Sequence, residues 1–321
     1  MTDLRETIID WARQGRLRPE DLRRALLLEG ALPSVADWRR FLERLLLWLG
    51  TMGIASGVIF FLAYNWEKLG RFAKLGLVEV LVVAALVFVG RLGLERPAGT
   101  AALLASAMLV GALLALIGQT YQTGADTFEL FTVWAFAILP WVVIGRFPVL
   151  WLGWLALVNL AVTLYLQTFP GLFGLLFDAE QMLWVLLGVN TVALAAWEGA
   201  AAAGVVWLRE RWATRLLATT AGTVATVLAV FAVIDEASGW ALLAWLIWLV
   251  VAYAVYRHRL RDLYVLAGGV LSLIVVLTTF LGKHLIDFDE AGGFLLIGLV
   301  VIGLSAAGGW WLRRIAVEET V

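Results

Sequence analysis

The chain has 321 residues, 62% of them hydrophobic and only 15% charged, with a mean hydropathy of +0.91. Soluble domains run nearer half apolar and about a quarter charged, so this composition excludes an ordinary soluble domain and indicates a membrane fold. The net charge of −1 predicts no nucleic-acid partner, and the lack of cysteine excludes disulfides, thiolate metal sites and a cysteine nucleophile.

Residues 1–44 read as a cytosolic helical region carrying nine Arg. Leu4, Ile8 and Trp11 recur at helical spacing and Gly15 punctuates. Pro19 opens a second helix, with Glu20 and Asp21 in the first turn where carboxylates suit the helix dipole, and Gly30 ends it. Ser34-Val-Ala-Asp37 has the form of a cap for a third helix that runs on into the membrane. The region is read as a topology anchor, with docking of a cytosolic protein partner or anionic lipid at residues 1–44 as the sharper alternative. No early apolar core resembles a cleavable signal, so the first span is expected to be an uncleaved anchor.

A span needs roughly 20 apolar residues. On that rule ten are expected: 45–64, 72–90, 98–118, 128–145, 148–168, 181–199, 215–234, 240–256, 263–281 and 291–312. The sixth could extend through Ala200–Trp207. These make an all-α polytopic bundle at residues 45–312, followed by a cytosolic tail at 313–321. With the N-terminus inside, Arg91, Arg96, Arg146, Arg209, Arg211, Arg215, Arg257, Arg259, Arg261, Arg313 and Arg314 lie inside, whereas the outer loops hold only Lys68, Arg71, Lys74 and Lys283. This asymmetry fits the positive-inside rule with both termini cytosolic. Three of the four outer cations cluster in the first outer loop. Lys68, Arg71 and Lys74 are spaced to share one helical face, either as interfacial anchors or as a site for an anion or lipid headgroup. Gly53 and Gly57 form a small-xxx-small pair, and the glycines from Gly268 to Gly308 suggest tight packing of the last two spans.

Polar groups inside spans are costly and are therefore site candidates. Glu79 in the second span reads either as a proton- or cation-coupled carboxylate or as a partner of Lys74 or Arg71. Asn190 lies within the sixth span, and Glu198 near its cytosolic end can approach Arg209 or Arg211 only if the chain bends there. The longest polar run between Met52 and Glu198 is Gly118-Gln-Thr-Tyr-Gln-Thr-Gly-Ala-Asp-Thr-Phe-Glu129. Asp126 and Glu129 could bind a cation or trade a proton, but they also have the spacing of a capping box opening the fourth span, as do Asp178 and Gln181 at the sixth. Capping leaves Gln119, Tyr121 and Gln122 unexplained, so they are candidates to line a vestibule. His258 and His284 fall in loops on opposite sides, no zinc, Walker or serine-hydrolase motif occurs, and neither an enzyme activity nor a metal or cofactor is expected.

The run from Gly118 to Asp126, followed by Leu130-Phe131, Trp134 and Leu139-Pro-Trp141, resembles the bacterial membrane proteins grouped as domain of unknown function 2157. The segment from Gly57 to Trp66, ending Ala-Tyr-Asn-Trp, and the Arg-rich N-terminal region with Trp11 and Gly15 extend the resemblance over about residues 5–165. Arg261-Asp-Leu-Tyr264 is loosely similar to the motif of a related membrane family named for Gly-Asp-Tyr, with Arg in place of the Gly. The resemblance implies a multi-pass protein of the bacterial inner membrane and supplies no activity. Two functions stay open: transporter-like movement of a small solute or lipid, which needs Glu79, Gln119 or Asn190 to face a wet cavity, and a scaffold or sensor that recruits a partner through its N-terminal helices.

Overall fold

A computed structural model describes residues 2–28, 32–65, 69–168, 179–235, 239–284 and 291–318. Among these residues the chain is helical and without strands, and ten helices are long and apolar enough to cross a membrane. Each matches one of the ten expected apolar runs, so this is an all-α, multi-pass membrane protein. The chain divides into two compact units, residues 1–123 and 124–319.

The first unit holds α1 (Thr2–Arg13), α2 (Pro19–Leu28), α3 (Val35–Tyr64), α4 (Arg71–Leu92) and α5 (Pro97–Tyr121). Helices α1 and α2 pack on each other, with Ile8 buried and Gly15 at a φ of +68° between them. Ser34 caps α3 as its spacing predicts: Asp37 N donates to Ser34 Oγ at 3.2 Å and Ser34 N to Asp37 Oδ2 at 2.9 Å. Helix α5 is the packing centre, touching both α3 and α4. Its Leu109 and Leu116 meet Val78 of α4 in a buried cluster. The α4–α5 turn is tight because Gly99 lies against Gly93, where a Cβ would fall 2.0 Å from the Gly93 carbonyl oxygen.

The second unit holds α6 (Thr127–Gly145), α7 (Pro148–Thr168), α8 (Ala179–Ala202), α9 (Arg211–Ile234), α10 (Gly239–Ala254), α11 (Leu263–His284) and α12 (Ala291–Glu318). The sixth span therefore stops at Ala202, and a short 3-10 turn, Val206–Arg209, follows it. Helices α6 and α7 form the expected hairpin through Arg146, and Trp154 Nε1 of α7 donates to the Ala135 carbonyl of α6 at 3.0 Å. Helix α9 is central and packs on α8, α10 and α11. Ala218, Ala221, Ala225, Ala229 and Ala232, spaced three and four apart, are all buried, so small side chains let these helices approach closely. At the C-terminal end of α9, Lys283 Nζ donates to the Ile234 carbonyl at 2.9 Å.

The glycine expectations are only partly met. A Cβ at Gly53 or Gly57 would meet nothing within 4 Å, so this pair makes no close contact within its unit. Between α11 and α12 the close approach falls at Gly308, where a Cβ would lie 2.4 Å from Val270 Cγ1.

Candidate functional site

The strongest concentration of partly buried charge gathers side chains from four elements at one end of the second unit. Glu198 comes from the last turns of α8, Arg211 and Arg215 from the first turn and a half of α9, and Tyr256 from a π-helical segment, Val255–Arg259, that ends α10. Asp262 directly precedes α11. π-helical turns are rare and tend to mark functional or constrained positions. Here the turn brings Tyr256, 3% exposed, to the carboxylate of Glu198, to which its hydroxyl donates at 3.0 Å. The 3-10 turn after α8 reverses the chain so that Arg211 reaches back to Glu198 at 3.2 Å. This meets the condition, set by the sequence, that the chain must bend there.

Asp262 is the hub. Its side chain is 2% exposed. Arg211 donates to it through Nη2 at 2.8 Å and Nε at 3.1 Å, and Arg215 donates through Nε at 3.1 Å. Its Oδ1 also accepts the Tyr264 backbone N–H at 3.1 Å, which caps α11. Burial works against the Asp262 charge, but the hydrogen bonds from Arg215 and Arg211 outweigh it and hold the carboxyl below its ordinary value of 3.8. Arg211 thus engages all three of its nitrogen groups, two on Asp262 and one on Glu198. Among the described residues Arg215 uses only Nε, on Asp262, and it lies 5.6 Å from the Tyr264 ring. Apolar packing beneath the network comes from Leu194, Trp197, Leu217, Val265 and Ile315.

Two apolar grooves open in the same unit. One, of about 660 Å³, runs between α7 and α8 and is walled by Trp151, Trp154, Trp197 and Trp207. The other, of about 410 Å³, runs between α9 and α11 with Trp248 behind it, from Tyr264 and Thr219 at one end to Val275 and Val227 at the other. In the wall of the second groove Ser272 shares a hydrogen bond with Thr226 at 2.6 Å, and its Oγ accepts from Trp245 Nε1 at 2.9 Å.

The residues singled out by sequence do not assemble into a site within either unit. In the first unit Glu79 is on an exposed face of α4, and Gln119 and Tyr121 are exposed at the end of α5. Gln122 is the left-handed C-cap of α5, with φ +47°. Arg71 is exposed against Phe72, whereas Lys74 is 7% exposed, so the two form no shared exposed cationic face; Lys68 lies outside the described residues. In the second unit Asp126 sits at the N-cap of α6 and Glu129 in its first turn, both exposed, but the Asp126 side chain makes no capping hydrogen bond. The position of the box is as expected and its bonds are not. Asp178, the cap expected for the sixth span, lies outside the described residues.

Asn190 is 1% exposed and lines neither groove. Its Nδ2 donates to Asn159 Oδ1 at 2.6 Å, and Asn159 Nδ2 donates to Asn190 Oδ1 at 3.3 Å. Each Nδ2 also donates to a carbonyl one turn back, at Leu186 and Leu155. The amides form a closed clasp between α7 and α8. Among the described residues no three His, Asp or Glu side chains form a metal-ligand set.

Sequence reading reached only the Glu198–Arg211 edge of the charged network, because Arg215 and Asp262 read individually as loop charges and Tyr256 as the end of an apolar span. The one local signal was Arg261-Asp-Leu-Tyr264, whose Asp is the hub and whose Tyr stacks beside Arg215. Compared with known families, residues 9–151 match the model described as a predicted membrane protein, domain of unknown function 2157. No curated protein and no solved structure matches the chain. The matched segment covers the first unit from residue 9 on and the start of the second, and ends before the charged network.

Proposed function

We propose that this is a non-catalytic protein of the bacterial inner membrane, with both termini cytosolic, that binds or moves a lipid-like amphiphile. The observation that carries this reading is the chemistry of the two grooves, which are lined by apolar and aromatic side chains, with hydroxyls as the few polar groups of the α9–α11 groove and indole N–H groups as those of the α7–α8 groove. A path for a hydrophilic solute needs polar or charged groups facing a wet cavity. Glu79 and Gln119 line neither groove, and Asn190 is closed onto Asn159. The distribution of Arg between alternate loops supports the orientation.

The test uses the full chain in lipid nanodiscs containing a phospholipid with a photoactivatable acyl chain. Adducts are expected to concentrate on peptides lining the grooves, around 151–158, 188–200, 219–227 and 264–275, relative to the exposed apolar face of α4 at Val80, Val83 and Val87. An even spread over all exposed apolar faces would refute the reading.

One observation favours a scaffold as the second reading. Helices α1 and α2 form a small packed pair of their own, and residues 1–33 carry six Arg and six Asp or Glu, a mixed-charge surface suited to a protein partner. Deleting residues 1–33 would then abolish function in cells while leaving the thermal stability of the spans unchanged, and a silent deletion would remove this reading.

A further inference from the structure

The groove between α9 and α11 ends beside an arginine whose hydrogen-bonding capacity is only partly used. Arg215 gives Nε to Asp262, and among the described residues neither of its terminal nitrogens carries a hydrogen bond. Its side chain is 45% exposed. Arg211, one turn earlier, has all three nitrogen groups occupied. A guanidinium held in place through Nε, with its two terminal amino groups free, is arranged to take two oxygens of a phosphate. Tyr264 and Thr219, whose hydroxyls lie 3.1 Å apart, stand between Arg215 and the groove.

The groove has the dimensions of one lipid chain in one leaflet. From Tyr264 to Val275 the α11 wall rises over eleven residue steps, about 16 Å at roughly 1.5 Å per step. That is about half of a bilayer hydrocarbon core of roughly 30 Å. Small residues keep the groove open: at Gly268 an added Cβ would meet nothing within 4 Å. The charge at this end also fits an anion. Among the described residues, Arg209, Arg211, Arg215, Arg257, Arg259, Arg261, Arg313 and Arg314 outnumber Glu198, Glu210, Asp262 and Glu318.

We infer that this groove is a binding site for an anionic phospholipid, with one acyl chain lying along α9 and α11 and the headgroup phosphate on the free amino groups of Arg215. The inference rests on the lipid reading above and adds to it the headgroup, the leaflet and the residue that selects. Arg211 and Asp262 act here as positioning residues, since they fix the Arg215 side chain through the carboxylate it shares with Arg211.

Native mass spectrometry of the full chain, titrated with phosphatidylglycerol or phosphatidylcholine of identical acyl chains, tests this. The wild type should bind phosphatidylglycerol about fivefold more tightly, the preference expected for one interfacial arginine. Arg215→Gln should bring the two lipids level, and Arg215→Lys should keep a preference. Gly268→Leu, which fills the groove from a position with open space, should weaken both lipids while leaving the melting temperature unchanged or raised. Should Arg215→Gln fail to fold, Gly268→Leu and Arg215→Lys still decide. Equal binding of the two lipids by the wild type would overturn the inference and leave the amphiphile reading standing. Undiminished affinity for both lipids in Gly268→Leu would also overturn it, by placing the site elsewhere. Groove adducts absent in nanodiscs, together with no lipid retained here, would overturn both.

Discussion

The network around Asp262 and the polar run from Gly118 to Glu129 hold comparable numbers of polar side chains, and they differ in what those side chains touch. Around Asp262 two carboxylates and two guanidiniums join α8, α9 and the start of α11, and the hub is almost fully withdrawn from solvent. Along the run, Gln119, Tyr121, Gln122, Asp126 and Glu129 are exposed, and the backbone does the structural work: Gln122 turns in the left-handed region and Asp126 starts a helix without a side-chain bond. Polar groups in a membrane protein can tie helices together or they can face water and headgroups. Only the first kind should be costly to remove.

The largest effect is therefore expected at Asp262. Asp262→Ala strips a buried acceptor from both Arg211 and Arg215 and uncaps α11. The two guanidiniums left behind are 35% and 45% exposed, and losing hydrogen bonds to a charged group typically costs about 1.5–3 kcal/mol, so the detergent-solubilised variant should melt several degrees below the wild type. A melting point within a degree or two of wild type would show that the network is surface ornament. The same carboxylate gives a pH signature. Its folded pKa is below its ordinary value of 3.8, so the unfolded chain takes up the proton first as pH falls. The contribution is complete above the ordinary value and is lost as pH drops through the depressed one. Melting temperature should thus fall between about pH 5 and about pH 3 in the wild type, and fall less in Asp262→Asn.

An intermediate effect is expected at the Asn159–Asn190 clasp, which ties helices as Asp262 does but without charge. Hydrogen bonds between helices in membranes average about 0.6 kcal/mol and reach about 1.7. Two reciprocal bonds at 2.6 and 3.3 Å should give a coupling of about 1 kcal/mol in a double-mutant cycle of Asn159→Ala and Asn190→Ala. Strict additivity would mean that each amide is satisfied by its own helix carbonyl, and the clasp would drop out of the comparison.

The ten spans were legible because a helix must satisfy its own backbone in lipid, and the length of an apolar run is a one-dimensional signal. The Ser34–Asp37 box and the hairpin at Arg146 were legible for the same reason: their causes lie within a few residues. The network was not, because Glu198, Arg211 and Asp262 meet only through two local departures from the α-helix, the 3-10 turn at Val206–Arg209 and the π-helical segment at Val255–Arg259. Neither departure has an apolar-periodicity signature. Lys74 shows the reverse error: a spacing of three put it with Arg71, and packing in the first turn of α4 buried it.

The smallest stability effects, and the sharpest accessibility contrast, are expected along the polar run itself. Asp126→Ala removes no side-chain bond and should change stability by less than about 0.5 kcal/mol, and Gln122→Gly should be neutral or slightly stabilising because its φ of +47° suits glycine. The absence of native cysteine allows single reporters without background. Cysteines at 119, 121, 122, 126 and 129 should react with a membrane-impermeant maleimide in intact cells. One at Leu116, only 4% exposed and packed against Val78, should not. Labelling at 116 or at 190 would mean that water reaches between helices the packing holds closed. Polar permeation would then displace the amphiphile reading, and the run would become a vestibule rather than an exposed turn.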